Sequence, residues 1–310
     1  MPNSFVTSLG RLAALILSMV MFAATAATID QRSPIDVPCT ADNQKERVVA
    51  TELAGIPAIL RVPTRTTKAP IVLWHGMGPP ASEQALMEVL PLDDVPAVKV
   101  YLGLPLFGKR APSGGVSELI RRQKEDVGLQ VFAPVVVGAS EELPRVIHEL
   151  ERRGCMRQGE KIGLFGFSAG AAAALLATAE QRVAIGTVVL LNPSTGLTSS
   201  VLAFEKATGQ TYAWTAASRA LAARTDAANR AADIARGSPL PALLLIEGDR
   251  DHVIANESLS TLERALMPLY ANAHARERFQ VRVMPALPHN IVDPHIDDEL
   301  ARQVSGWFNH

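Results

Sequence analysis

The sequence predicts an α/β domain in which a mostly parallel sheet is covered on both faces by helices. Two observations carry this. Short apolar runs, bounded by glycine, proline or charge, alternate along the chain with longer segments whose apolar positions recur at helical spacing. Several of those runs are apolar at successive positions rather than at every other one, as strands buried on both faces are. A chain of 310 residues with 48% hydrophobic content can bury a core of that size.

In chain order, "RVVATELAGIPAILRVPT" reads as two short strands around a turn at Gly55. "IVLWHG" is a buried strand ending in glycine, "EQALMEVL" is helical, and "AVKVYLG" is again a strand. From Ser117 to Arg153 the helical spacing is interrupted by Pro134, which predicts two helices or one kinked helix. "KIGLFGF" is a strand, and "AGAAAALLATAE" a helix rich in the best helix former. "GTVVLLNPS", "ALLLIEGD" and "FQVRVMP" are strands, with a helix over "ESLSTLERALMPLY" and a last helix from about Asp297. No strand appears between Pro193 and Gly237. That region, about 196–237, is a small helical insertion containing "AWTAASRALAARTDAANRAADIARG", where Asp226 and Arg230 sit four apart as in a solvated helix. It is either a cover over a site at the strand ends or a surface helix with no part in binding.

Residues 1–26 read as a signal peptide. Arg11 precedes the apolar run "LAALILSMVMFAA", no further charge appears until Asp30, and "ATAA" places small residues at Ala24 and Ala26. The clean apolar run is shorter than the ~20 residues a membrane span requires. Cleavage after Ala26 leaves an extension over 27–46, a domain over 47–310, a secreted or periplasmic protein and no stable membrane insertion. Export bears on Cys39 and Cys155, the two cysteines of the chain. They are either a disulfide, whose long loop would stabilise by roughly 4–5 kcal/mol, or two separate thiols. No Cys/His cluster marks a zinc site, and neither a metal nor an organic cofactor is expected. Charges nearly cancel, 30 Lys+Arg against 31 Asp+Glu, without a basic stripe, which argues against nucleic acid as a partner.

The chemistry centres on "GFSAG", Gly166 to Gly170, placed between a strand and a helix. A strand turning directly into a helix crowds the residues beside Ser168, and glycine removes a clashing Cβ. The helix N-terminus then presents free N–H groups to developing negative charge. Read without its context, Ser168 is only a capping serine. A serine nucleophile needs a base and a carboxylate that orients it. Of seven histidines, His289 follows a strand and precedes the last helix, where α/β sheets place their sites. His295 is its competitor, whereas His148 and His274 lie in charged helical segments. For the acid, "LLLIEGDRDHV" offers Asp249 and Asp251.

The order Ser168, then Asp249 or Asp251, then His289 is similar to that of the serine α/β-hydrolases. "GDRDHV" resembles their Gly-x-x-Asp-x-x-Val acid loop, which implies Asp251 as the acid and Asp249 as a turn residue. "LWHGMG" resembles their His-Gly-x-x oxyanion loop, which implies the backbone N–H groups of Met77 and Ala169 as oxyanion donors and a shaping role for His75. The resemblance covers about Val48 to the C-terminus and looks closest to dienelactone-hydrolase-like and prolyl-oligopeptidase-like esterases. Dienelactone hydrolases proper carry cysteine at the position of Ser168, so their lactone substrate is not implied, and no β-propeller is present. "YLGLPLFGKR" resembles a strand-end loop of such esterases, in which Arg110 contacts an anionic acyl group or is simply solvated. The implied activity is hydrolysis of a small-molecule carboxylic ester through an acyl-enzyme. A thioesterase or amidase would use the same residues, and a hydrolase-fold binding protein is the non-enzymatic alternative. The residues that bind the substrate are not legible.

Overall fold

The computed structural model describes residue 39, residues 45–291 and residues 294–310. The signal peptide expected over 1–26 lies outside them, as does most of the 27–46 extension. Among the described residues no helix is long and apolar enough to cross a membrane.

Eight strands form one sheet: β1 (Arg47–Leu53), β2 (Ile56–Val62), β3 (Ile71–Trp74), β4 (Lys99–Leu102), β5 (Ile162–Phe167), β6 (Ile185–Leu191), β7 (Ala242–Arg250) and β8 (Phe279–Pro288). Their spatial order is β1-β2-β4-β3-β5-β6-β7-β8. β2 runs antiparallel to both β1 and β4, and every pair from β4 onward is parallel. The first turn is closed by Gly55 at φ 80°, where a Cβ would be unfavourable.

The apolar runs are continuous because each strand feeds two cores. Val72 and Trp74 of β3, Val188 and Leu190 of β6, and Leu243 and Leu245 of β7 enter one cluster. Their alternates Ile71, Leu73, Val189, Leu191, Leu244 and Ile246 enter the other, on the opposite face. Helices α1 (Glu83–Val89) and α9 (Pro294–Asn309) cover that second face through Leu86, Met87, Leu300 and Val304. The first face is covered by α2 (Gly115–Asp126), α3 (Gly138–Arg152), α4 (Ala169–Glu180) and α8 (Asn256–Asn272). The chain passes from β3 outward to β4 and then back across to β5 on the other side of β3. The loops leaving β3 and β5 are therefore neighbours at a topological switch point, where open α/β sheets bind ligands.

The segment around Pro134 differs from a simple kink. Val127–Val137 winds more widely than an α-helix, and the Gly138 N–H at its end reaches the Ala133 carbonyl five residues back. Proline offers no N–H, and its ring crowds the carbonyl one turn behind it; a wider turn accommodates both. The insertion after β6 contains α5 (Leu197–Thr208), α6 (Ala216–Thr225) and α7 (Ala231–Ile234). Asp226 and Arg230 do not form the expected helical pair. The chain leaves the helical conformation at Asp226, with ψ 106°, and its carboxylate accepts from the Thr198 N–H at 3.0 Å and the Thr198 hydroxyl at 2.5 Å. Arg230 instead pairs with Asp233 at 2.5 Å. A tertiary acceptor for the start of α5 outcompetes an exposed i,i+4 pair worth only ~0.3–0.5 kcal/mol.

Cys39 and Cys155 are joined in a disulfide, with Cα atoms 4.6 Å apart across a sequence separation of 116. Cys155 is buried beyond the end of α3, so the bridge ties the segment ahead of β1 to the core. Unfolded, non-reduced protein should therefore show no titratable thiol, and reductant should lower Tm by several degrees. Two free thiols under those conditions would refute the bridge.

Candidate active site

The site is assembled from five loops at one end of the sheet. Ser168 stands alone between the end of β5 and the start of α4, at φ 53° and ψ −114°. A positive φ for a residue with a Cβ costs on the order of 1–3 kcal/mol, and the surroundings must impose it. They do so by close approach. A Cβ on Gly166 would lie 2.4 Å from the Gly170 carbonyl oxygen and 2.5 Å from Ala171 Cα. A Cβ on Gly170 would lie 2.5–2.6 Å from the carbonyl oxygens of His75 and Trp74. The turn is also hydrogen-bonded: the Ser168 N–H donates to Leu191 at 3.0 Å, and its carbonyl accepts from Ala171 at 3.0 Å and Ser194 at 3.2 Å. The side chain makes no capping bond to α4, so Ser168 is not a helix cap in the sense of the competing reading.

The Ser168 hydroxyl lies 3.0 Å from His289 Nε2, and His289 Nδ1 lies 2.8 Å from Asp251 Oδ2. All three side chains are buried, and the imidazole packs on Phe167 with ring centroids 5.4 Å apart. With Asp251 accepting from Nδ1–H, Nε2 is left with its lone pair toward the serine. The second Asp251 oxygen accepts from the Val253 and Ile254 N–H groups at 2.8 and 3.1 Å, which fixes the carboxylate in a buried place. Asp249 is not a turn residue. It lies exposed within β7, where the pairing with β8 shifts register between Gly248 and Arg250, so the strand reaches further than its apolar run. His295 belongs to α9, and its side chain lies outside the described residues. His148 and His274 are exposed.

His75 follows β3 fully buried. Its Nδ1–H donates to the Gly76 carbonyl at 2.7 Å and its Nε2 accepts from the Leu104 N–H at 3.0 Å. Burial pushes its pKa down to about 4, opposed by the bond to Gly76, so the ring stays neutral and ties the β3 and β4 loops together. Met77 lines the cavity over Ser168. Ala169 is the first residue of α4, so its N–H has no acceptor within that helix. Arg110 does not line the cavity, where it would meet an acyl group, and is not free in solvent: half-buried, it holds Glu142 through two bonds of 2.8 and 2.6 Å and donates to the Gly103 carbonyl at 3.0 Å. Among the described residues no cluster of three or more His, Cys, Asp or Glu is placed to hold a metal.

Asn192, which the motifs do not single out, links the other loops. It follows β6 at φ 41°, buried, with its Oδ1 accepting from the Gly248 N–H at 2.8 Å. Its Nδ2 donates to the carbonyls of Pro288 and His289 at 2.9 and 3.0 Å. One amide thus holds the strand end before Asp251 and the backbone of His289. Its position directly after an apolar strand is the one sequence signal that could have found it. Asn192→Ala leaves three backbone groups without this partner and should lower unfolding stability by about 2–4 kcal/mol, measured by urea denaturation. A change under 0.5 kcal/mol would mean that these contacts carry no load.

No protein-family model matches the sequence. No curated protein matches it either. Solved structures do match its shape. The Thermus thermophilus protein TT1662 superposes with a TM-score of 0.64 at 22% identity, over 86% of this chain and 100% of that one. The esterase Pf2001 of Pyrococcus furiosus gives 0.55 at 15% identity, over 86% of this chain and 90% of its own. A dienelactone hydrolase from Anabaena variabilis gives 0.50 at 18% identity, over 86% and 97%. At such identities the likeness is one of fold. Together with the strand order and the helices on both faces, it shows that this chain has the α/β-hydrolase fold.

Proposed function

We propose that the protein is a serine hydrolase that cleaves carboxylic esters through an acyl-enzyme, and that it acts outside the cytoplasm. The observation that carries this reading is the buried chain Asp251–His289–Ser168, closed at 2.8 and 3.0 Å on a serine held at positive φ. Ser168 Oγ attacks the ester carbonyl while its proton passes to His289 Nε2. Asp251 keeps the imidazole in the required tautomer and stabilises the imidazolium. The negative oxygen of the tetrahedral intermediate is held by the N–H groups of Met77 and Ala169, each such donor typically worth ~3 kcal/mol of barrier. Collapse of the intermediate expels the alcohol, which takes the proton from His289. A water then repeats the sequence on the acyl-enzyme and releases the acid. A thioesterase or an amidase would use the same residues in the same order. A binding protein without turnover has no need of a connected serine, imidazole and carboxylate.

Export is supported by the disulfide and by the leader pattern over residues 1–26. Intact-mass measurement of the exported protein should give a mature N-terminus at Ala27. Retention of residues 1–26 would count against export by cleavage.

Ser168→Ala should fold as the parent does. Ser168 is held at φ 53°, and alanine keeps the same Cβ and so adds no strain there. The variant should lose nearly all hydrolysis of short-chain nitrophenyl esters, as should His289→Ala, and the double variant should be hardly worse than either. In the parent, kcat/KM should fall on acidification, because an imidazolium cannot accept the serine proton. A folded Ser168→Ala protein with parental turnover would end the assignment. Asp251→Asn should reduce kcat by about 10⁴-fold through the wrong tautomer. The exposed Asp249→Asn should stay within a few-fold of the parent. The opposite pattern would move the acid to Asp249.

A further inference from the structure

The cavity above Ser168 carries a substrate preference that the reacting groups do not. Its volume is about 480 Å³. At ~30 Å³ for each water-sized group, that holds on the order of sixteen of them. One wall is the widened segment before α3, contributing Val127, Val131 and Phe132. The other is α5, contributing Leu197, Val201 and Phe204, which recur at helical spacing on one face. Leu202, off that face, is exposed. The two walls are fastened to each other: the Tyr212 hydroxyl, just beyond α5, donates to Asp126 at 2.7 Å, at the start of the widened segment.

Polarity is unevenly spread over the lining. Val131, Phe132, Leu197 and Val201 are 0–1% exposed, whereas Lys206 and His252 are exposed. Lys206 is the one Lys or Arg among the described residues that line the cavity, and no Asp or Glu lines it. Its ammonium group already donates to the His252 carbonyl at 2.6 Å. The cavity therefore has a buried apolar end and a polar rim. The acyl group stays bonded to Ser168 after the first step while the alcohol must leave. The buried end suits the acyl part, and the rim suits the alcohol. Within the insertion it is α5, not the alanine- and arginine-rich Ala/Arg stretch over 213–237, that lines the cavity.

We propose that the site takes uncharged carboxylic esters with an apolar acyl chain of about six to ten carbons, held between the widened segment and α5. This rests on the serine-hydrolase reading. Each methylene moved from water to such a wall favours binding by up to roughly fourfold. A second carboxylate on the acyl chain meets no cation on that wall and loses its hydration.

The test is kcat/KM of the disulfide-bonded protein on nitrophenyl acetate, butyrate, octanoate, palmitate and hemisuccinate, with an alcohol series at fixed acyl group. Octanoate should exceed acetate at least tenfold, palmitate should fall below octanoate, and hemisuccinate should fall at least tenfold below butyrate. Val201→Trp should lower octanoate at least tenfold more than acetate. Phe204→Lys, at a half-buried position that tolerates a long side chain, should raise hemisuccinate relative to butyrate at least tenfold. Active protein with a flat acyl profile, or with a preference set by the alcohol, would overturn this inference and leave the serine-hydrolase reading standing. Absence of turnover on every ester, with no labelling of Ser168 by a fluorophosphonate, would overturn both.

Discussion

The turn from β5 into α4 is the constraint on which the rest of the structure depends. The helix starts so close to the sheet that Gly166 and Gly170 have no room for a Cβ against Ala171 and the carbonyls of Trp74 and His75. That proximity forces Ser168 to positive φ and lifts its hydroxyl clear of both elements. The cost, on the order of 1–3 kcal/mol, is sustained by the bonds from Ser168 to Leu191, Ala171 and Ser194 and by a helix buried along eleven of its twelve residues. An alanine-rich helix is what such closeness requires, since larger side chains would hold it away from the sheet.

Around this fixed point the partners arrive from far along the chain. Asp251 follows β7 and His289 follows β8, each a neighbour in the parallel order. Strand ends alone would leave their loops free to shift. Asn192 removes that freedom by bonding to the backbone of both, and His75 does the same between the β3 and β4 loops. Both are buried and fully occupied, so they rigidify the strand ends without entering the chemistry. In the proposed reaction this matters because a small displacement of the imidazole costs far more rate than stability.

The cavity has a different origin from the reacting groups. Its walls come from two irregular features: a helix widened around Pro134 and an insertion after β6. Tyr212 and Asp126 connect them, and a Cβ on Gly128 would lie 2.5 Å from the Tyr212 hydroxyl. The same fold with other insertions would present the same serine to another cavity, so shape and polarity here belong to this chain rather than to the fold.

What the sequence determined by itself was whatever local crowding or continuous burial writes into neighbouring residues. The glycines two positions either side of Ser168 marked the elbow, and unbroken apolar runs marked strands buried on both faces. The end of one such run marked His289, and the end of another offered both Asp249 and Asp251, between which the resemblance to the acid loop chose. Tertiary structure decided everything that needed a partner distant in the chain. Asp226 chose Thr198 over Arg230, Arg110 chose Glu142 over solvent or ligand, and β8 drew β7 past its apolar run to include Asp249. Cys39 met Cys155, Asn192 bridged two loops, and α5 rather than the Ala/Arg stretch came over the serine. These outcomes were closed to the sequence because hydrogen-bond and packing energies depend on which distant groups the sheet order places side by side, and that order is not written in any one segment.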